Sequence, residues 1–133
     1  MKTYQYQIFL CLATLLIFSF IGCEVKDFYN TREEDQEEMS ILKKEIDKMA
    51  NQFSCDNAAE WKFVSIGTKS CGGAGAYIAY STKIDEATFL KKVALYTQKQ
   101  NALNVKWGYI SDCALVVVPK SVECVNGKPQ FVY

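Results

Sequence analysis

Histidine is absent from this sequence of 133 residues. Ser-His-Asp and Cys-His catalysis both depend on an imidazole base, and many zinc sites depend on histidine ligands. The sequence therefore excludes these catalytic and metal sites together. A surplus of charge of one sign is also missing, because 15 basic residues balance 15 acidic ones. Residues 51–133 carry a small, dispersed basic surplus, which is not the basic stripe typical of a nucleic-acid-binding domain, so no nucleic-acid partner is expected.

A long apolar run is missing after Cys23, so no transmembrane helix is expected in that part of the chain. The one sustained apolar run, residues 8–20, follows a short polar start that carries Lys2. It has about the length of the hydrophobic region of an export signal and is too short to span a bilayer comfortably. Residues 1–22 are therefore predicted to be a signal peptide.

The signal ends in Phe20-Ile21-Gly22-Cys23. This motif resembles the bacterial lipobox, although Phe20 stands where leucine is usual. The resemblance implies a lipoprotein precursor that is cleaved before Cys23 and anchored to a membrane by acyl chains on that cysteine. Such a protein would belong to the cell envelope and face the periplasm or the cell surface. The alternative is an ordinary secretory signal or N-terminal membrane anchor with an incidental cysteine.

A charged helix is predicted over residues 32–52. Thr31 and Glu34 have the spacing of a capping box, and acidic residues precede basic ones, as the helix dipole favours. Apolar residues recur at spacings of three and four: Met39, Leu42, Ile46, Met49 and Phe53. The helix is interpreted as a coiled-coil partner, as a stalk, or as a helix packed on its own domain. The domain organisation is predicted as a signal (1–22), a lipidated N-terminus with spacer and charged helix (23–50), and a disulfide-containing domain (51–133).

Four cysteines fall in residues 51–133, namely Cys55, Cys71, Cys113 and Cys124. An even number in an exported domain indicates two disulfides. Zinc ligands usually come as close cysteine pairs, and none is present, so no metal and no cofactor is expected. A redox role is weakened by the lack of a Cys-x-x-Cys motif. Four cysteines allow three pairings. The strands before and after the second predicted helix should run parallel, which places Cys71 and Cys113 at the same end of the sheet. This arrangement favours the pairing Cys71–Cys113 and Cys55–Cys124.

The fold class is predicted to be α+β. Alternating patterns indicate strands at residues 61–66 and 76–80, with Tyr77 and Tyr80 on opposite faces. Asp85 and Gly108 bound a second, main packed helix. Residues 114–118 are apolar on both parities, which predicts a central strand. Two further strands, at 122–125 and 130–133, complete a small disulfide-stapled domain with an antiparallel-rich sheet of about four to five strands.

The spacing of several residues resembles a group of small, uncharacterised exported bacterial cysteine-containing domains. The residues that carry the resemblance are Cys55, Trp61, Gly67, Cys71, Gly72, Gly73, Tyr77, Ser111, Asp112, Cys113, Pro119, Cys124 and Gly127. Ala74 departs from the proline found in many members. The resemblance covers most of residues 55–133 and implies one compact secreted domain without implying an activity.

A binding module without enzymatic activity is the function that the sequence favours, with a protein, a glycan or an inhibited hydrolase as its partner. The expected surface is a glycine-rich loop and its neighbour, namely Gly72, Gly73, Gly75 and Tyr77. Lysines spaced by seven residues (Lys92, Lys99, Lys106) indicate a solvated helix face, or a basic face for an acidic partner. The alternatives are a structural envelope tether and a hydrolase that uses two of the carboxylates Asp112, Glu60, Asp85 and Glu123.

Overall fold

A computed structural model describes residues 30–133. It contains two helices and four strands in an α+β arrangement: α1 (Arg32–Ala50), β1 (Trp61–Thr68), β2 (Ala74–Ser81), α2 (Glu86–Trp107), β3 (Ser121–Val125) and β4 (Lys128–Val132). None of the helices in this described range is long and apolar enough to cross a membrane. The predicted signal, residues 1–22, and the predicted lipidation site, Cys23, lie outside the described residues.

Both helices begin where their caps predict. The Glu34 backbone N–H donates to Thr31 Oγ1 at 3.2 Å, and the Thr31 N–H donates to Glu34 Oε2 at 2.8 Å, which is a complete capping box. At α2, the Thr88 N–H donates to Asp85 Oδ1 at 3.1 Å. The helix ends at Gly108, whose φ of 61° is in the left-handed region that glycine adopts without strain.

The β1–β2 hairpin forms the centre of the fold, and its two faces contact different elements. Ile66 and Tyr80 point to the side covered by α1 and α2, whereas Trp61 and Phe63 point to the side covered by β3 and β4. The antiparallel register pairs Ser65 with Tyr77. Tyr77 therefore lies on the Trp61 side, opposite Tyr80, as the alternation predicted.

The larger core lies between the helices and the hairpin. Its buried members are Leu42, Ile46, Ala50, Ile66, Tyr80, Ile84, Phe89 and Val93. Ile46 of α1 and Phe89 of α2 are both fully buried. Thr31–Tyr133 forms one compact unit. Of the three interpretations of the charged helix, the structure shows a helix packed on its own domain, because α1 contributes to this core and lies in the same compact unit as residues 51–133.

The predicted solvated face of α2 is also corrected, since its lysines contact α1. Three ion pairs join the antiparallel helices: Lys92–Glu45 at 2.6 Å, Lys99–Glu38 at 2.7 Å and Lys106–Asp35 at 2.6 Å. Trp107 Nε1 also donates to Asp35 Oδ2 at 3.0 Å, and Asp35 is buried. We call these three pairs the interhelix ladder. The seven-residue spacing places the lysines against a partner helix of the same domain.

The predicted sheet of four to five strands is replaced by two separate two-stranded sheets, β1–β2 and β3–β4. The difference arises at residues 114–118, which we call the valine segment and which forms no strand. Cys113 before it has a φ of 54°, which turns the backbone out of the extended region, and Ala114 O accepts a hydrogen bond from Lys69 Nζ. Leu115 and Val117 are exposed, so this run is not the covered central strand that its apolarity predicted.

Two disulfides are present among residues 30–133, and their pairing is the one expected from the sequence. Cys55 is bonded to Cys124 and Cys71 to Cys113, with Cα–Cα distances of 5.2 and 5.9 Å. The reasoning that led to this pairing was wrong in one respect, because no strand follows α2 at the valine segment. Instead, Cys55–Cys124 joins the chain before β1 to the β3–β4 hairpin, and Cys71–Cys113 joins the β1–β2 turn to the segment after α2.

Candidate functional site

A tight turn between β1 and β2 contains two of the glycines predicted to bind a partner. The Gly72 N–H donates to Lys69 O at 3.0 Å, and the Lys69 N–H donates to Gly73 O at 3.2 Å. Gly72 and Gly73 have φ values of 92° and 84°, which side-chain-bearing residues rarely adopt. A Cβ atom built on either glycine would meet nothing within 4 Å. This glycine turn, residues 69–73, is thus open backbone that another molecule can approach closely.

The glycine turn is held to the chain that follows α2 by a covalent bond and an ion pair. Cys71 is bonded to Cys113. Lys69 Nζ lies 2.9 Å from Asp112 Oδ1 and also donates to Ala114 O. The hydrogen bond and charge of Lys69 lower the pKa of Asp112 from its ordinary value. These contacts fix the turn against a second loop, so its open backbone is presented in one orientation.

A row of aromatic rings lies on the Trp61 side of the hairpin. Tyr77 and Phe63 have ring centroids 6.0 Å apart, Phe63 and Phe131 are also 6.0 Å apart, and Phe131 and Tyr133 are 6.3 Å apart. All three contacts are edge-to-face, the geometry that the ring quadrupoles favour. Tyr77, Phe63 and Phe131 are half-buried, while Tyr133 is 59% exposed. We call these four residues the aromatic row.

Gly75, also predicted as a binding residue, has a structural role in β2. A Cβ atom at this position would lie 3.2 Å from the backbone of Ile66, Gly67 and Thr68 on the facing strand. The glycine therefore allows close approach of β1 and β2, and its place on a binding surface stays a prediction. Gly72 and Gly73 form the turn, and Tyr77 begins the aromatic row three residues after Ala74, the first residue of β2.

The other members of the row were not recognised in the sequence as site residues. Phe63 could have been recognised from the alternation of β1, because it lies on the same face of the strand as Trp61. The strand register places Tyr77 on that face as well. Phe131 and Tyr133 could not, since they belong to a different hairpin, and only the packing of β3–β4 against β1–β2 brings them alongside Phe63.

A groove between β1 and α2 has a volume of about 620 Å³. Its lining mixes apolar side chains with uncharged polar ones: Val64, Ser65, Thr68, Leu90, Val93, Ala94, Thr97, Gln98 and Asn101. At one end, the Gly67 and Thr68 N–H groups donate to Thr97 Oγ1 and Gln100 Oε1, both at 2.9 Å. Side chains of α2 thus accept hydrogen bonds from the backbone N–H groups at the end of β1. The residues that line the groove include no acid–base pair.

The four carboxylates considered for catalysis lie in different settings. Glu60 Oε2 pairs with Lys83 at 2.6 Å, Asp112 pairs with Lys69, and Glu123 is exposed on β3. Asp85 caps α2, and the hydrogen bond from the Thr88 N–H lowers its pKa. Asp85 and Asp112 are therefore ionised at neutral pH and poorly suited to be general acids. None of these contacts joins one of the four carboxylates to another.

A buried tyrosine and two charged side chains form a polar cluster that strongly perturbs a pKa. The Tyr80 hydroxyl donates to Glu86 Oε1 at 2.8 Å, and Lys62 Nζ donates to the same oxygen at 3.0 Å. Burial, aided by Glu86, raises the pKa of Tyr80 to about 12, and the Lys62 hydrogen bond lowers the pKa of Glu86. This arrangement holds Tyr80 protonated and Glu86 ionised, which suits a structural cluster.

Metal ligands are not clustered within residues 30–133, where no group of three or more histidine, cysteine, aspartate or glutamate side chains could hold an ion. Comparison of the chain with known proteins finds no matching family model, no matching curated protein and no matching solved structure.

Proposed function

We propose that this protein is a bacterial envelope lipoprotein whose domain binds a partner without catalysing a reaction. The observation that carries the proposal is an open glycine turn on the β1–β2 hairpin together with an aromatic row that runs from this hairpin to Phe131 of β4 and Tyr133. Gly72 and Gly73 leave space for another backbone, and Tyr77 begins a row of three half-buried rings that ends at the exposed Tyr133. Tyrosine supplies a large, rigid contact area at a low entropy cost, which is why it is frequent at binding surfaces.

The anchoring part of the proposal rests on the sequence alone. Phe20-Ile21-Gly22-Cys23 resembles a lipobox, and Cys23 would carry the acyl chains. Stable anchoring needs two hydrophobic signals, since a single chain binds a membrane only reversibly. In this proposal the membrane is one partner, through acylated Cys23, and a protein or glycan of the envelope or of a host is the other. The domain then faces the periplasm or the cell surface.

Labelling tests the anchor separately from the binding surface. Cells that express the full chain are fed a fatty-acid analogue that can be detected after capture. Wild-type chain should incorporate the label, and the Cys23→Ser variant should lose it. Equal labelling of both would show that the cysteine is incidental.

Crosslinking in intact cells tests the binding surface. Gly73→Asn adds a side chain where nothing lies within 4 Å, and asparagine tolerates a positive φ. The turn should therefore keep its shape while approach to its backbone is blocked, so partner capture should fall. Gly108→Asn is the matched control, because Gly108 also has a positive φ and an open Cβ position but ends α2. Equal capture by both variants would place the partner elsewhere.

The aromatic row is tested in the same assay by Tyr133→Ala, with Val105→Ala as the control at another exposed apolar position. Only the first substitution should weaken capture. The carboxylate-hydrolase alternative predicts a different outcome: the purified full chain would turn over an envelope glycan or peptide, and Asp112→Asn would abolish that turnover.

A further inference from the structure

The two disulfides differ in their access to solvent. Cys55 is 2% exposed and belongs to the smaller core with Trp61, whereas Cys71 and Cys113 are both exposed. Thiol exchange begins when an external thiolate reaches one sulfur of a disulfide, so exposed disulfides are the ones that exchange readily. The Cys71–Cys113 bond has this access, and the Cys55 sulfur does not.

The backbone at Cys113 is a second distinguishing feature of the exposed bond. Cys113 has a φ of 54°, in the left-handed region where the Cβ atom crowds a backbone carbonyl oxygen. Among residues 30–133, the other non-glycine residue with a positive φ is Asn126, and asparagine tolerates this region better than most residues. Opening the disulfide removes the covalent constraint on Cys113, so relief of backbone strain favours the reduced form.

Ser111 makes the two sulfurs of the exposed bond chemically different. Its Oγ lies 3.2 Å from Cys71 Sγ and 4.0 Å from Cys113 Sγ. A disulfide sulfur carries no hydrogen, so the hydroxyl is the donor in the shorter contact. Such a hydrogen bond stabilises a thiolate, and the sulfur whose thiolate is more stable leaves faster in exchange. This favours Cys71 as the leaving sulfur and Cys113 as the sulfur that is attacked.

We propose that Cys71–Cys113 is a thiol-exchange switch that an external dithiol opens at Cys113, and that its opening releases the glycine turn. One thiol of the dithiol loses its proton to water and bonds to Cys113 Sγ. The Cys71–Cys113 bond breaks, and its electron pair goes to Cys71 Sγ, which takes a proton from water. The second thiol, also deprotonated, attacks the dithiol sulfur of the mixed disulfide and displaces Cys113, which is protonated in turn. The protein gains two electrons and two protons, and the dithiol becomes a disulfide.

Release of the glycine turn follows from the weakness of the other contacts at this place. Lys69 Nζ lies 2.9 Å from Asp112 Oδ1, but Asp112 is 75% exposed, so this ion pair contributes little alone. Among the described residues, the remaining polar contacts of the turn with the segment after α2 are the bond from Lys69 Nζ to Ala114 O and the Ser111 contact to Cys71. Reduction therefore changes how firmly the turn is held against the second loop.

The role of an exchange substrate is compatible with the rest of the chain. A redox catalyst usually has a Cys-x-x-Cys motif, which this chain lacks, but a substrate of exchange needs only one accessible disulfide. The inference does not depend on the proposed binding function, because exchange and release are both measured on this chain without a partner.

Exchange with a monothiol identifies the sulfur that is attacked. The purified full chain is treated briefly with reduced glutathione, alkylated with N-ethylmaleimide at mildly acidic pH and mapped by mass spectrometry. The glutathione adduct is expected on Cys113 and the alkyl label on Cys71, while Cys55–Cys124 stays intact. An adduct chiefly on Cys71 would contradict the assigned direction. Earlier opening of Cys55–Cys124, or no opening of Cys71–Cys113 in the folded chain, would overturn the exchange site.

Substitution of Ser111 tests the role of its hydroxyl. Ser111→Ala should slow reduction of Cys71–Cys113 by dithiothreitol about threefold, because the leaving sulfur loses a hydrogen bond while its charge is partly developed. The preference of glutathione for Cys113 should fall as well. Ser111→Thr keeps a hydroxyl and should keep both the rate and the preference. Equal or faster reduction of Ser111→Ala would overturn this role, since simple loosening of the loop would speed reduction.

Hydrogen exchange measures the release of the glycine turn. The double variant Cys71→Ser with Cys113→Ser represents the open state without added reductant. The Lys69 and Gly72 N–H groups bond within the turn, and their exchange should be severalfold faster in the variant than in the wild type. Exchange in residues 42–50 of α1 is the control and should not change. Unchanged exchange in the turn would overturn the proposed release, and faster exchange in α1 as well would show a bond that supports the whole fold instead of a switch.

Discussion

Lys99 Nζ of α2 lies 2.7 Å from Glu38 Oε1 of α1, at the middle of the interhelix ladder. The pairs on either side, Lys92–Glu45 and Lys106–Asp35, maintain the same antiparallel register. Lys92–Glu45 and Lys99–Glu38 are partly exposed, so each contributes little alone. Together, the three pairs fix the position of α1 along α2, because a one-turn slip of α1 would break all three pairs and move Ile46 out of the core.

Reversal of the central pair should show this alignment. Lys99→Glu places a carboxylate against Glu38 and should lower the free energy of unfolding by about 1 kcal/mol. Glu38→Lys in the same chain should restore most of the loss, because the pair is attractive again. Lys44→Glu, at an exposed position of α1 outside the ladder, is the control. Chemical denaturation of the full chain compares the wild type, the control, each single variant of the pair (Lys99→Glu and Glu38→Lys) and the double variant. Additive losses in the double variant would contradict the coupling.

Local signals explain which parts of the fold could be predicted from the sequence. The starts of both helices and the end of α2 were predicted because caps at Thr31, Asp85 and Gly108 act within a few residues. The end of α1 had no such signal, and the helix stops at Ala50 instead of residue 52. The exposed, non-strand conformation of the valine segment was not predicted. Apolar residues at both odd and even positions are as compatible with a covered strand as with an exposed segment. In the described residues, β1 pairs with β2 and with no other strand. The residues of β1 do not specify this, because tertiary packing determines which strands pair.

Deletion of α1 should prevent the domain from folding. Ile46 is fully buried against the β1–β2 hairpin and α2, so Ile46→Ala should lower the free energy of unfolding by about 2–5 kcal/mol. Ile41→Ala is the control on the same helix, because Ile41 is 51% exposed and should cost far less. A chain truncated before residue 51 should show no cooperative thermal unfolding. Cooperative unfolding of that fragment would restore the domain boundary predicted from the sequence.

The two disulfides should be reduced in a fixed order. Their cysteines are separated by 69 and 42 residues, so loop entropy alone would give each bond about 4 kcal/mol and would not distinguish them. Exposure does distinguish them, because Cys55 is 2% exposed while Cys71 and Cys113 are both exposed. Mild reduction followed by alkylation and peptide mapping should label Cys71 and Cys113 first. Earlier labelling of Cys55 would contradict the accessibility argument.

Only the glycine turn of the candidate site could be predicted from the sequence. A glycine-rich loop was expected at Gly72 and Gly73, and both have a positive φ in the turn, because a turn is encoded by adjacent residues. The aromatic row depends on Phe131 meeting Phe63 across two hairpins. That contact depends on how β3–β4 packs against β1–β2 and on the Cys55–Cys124 bond, neither of which a single strand pattern contains.

Alkaline pH should destabilise the fold partly through Tyr80. The folded protein raises the pKa of this phenol from its ordinary 10.0 to about 12, so the folded state holds the proton more tightly than the unfolded state. The stability contributed by this difference is present below about pH 10 and is lost as the pH rises toward 12.

Tyr80→Phe removes the titrating group and its hydrogen bond to Glu86. At pH 7 the variant should therefore be less stable by about 1 kcal/mol. Between pH 9 and pH 11.5, it should lose less stability than the wild type does, by up to roughly 2 kcal/mol. The two proteins differ only at residue 80, so the difference between their denaturation curves isolates Tyr80. Parallel loss of stability in the two proteins would show that Tyr80 does not retain its proton through burial.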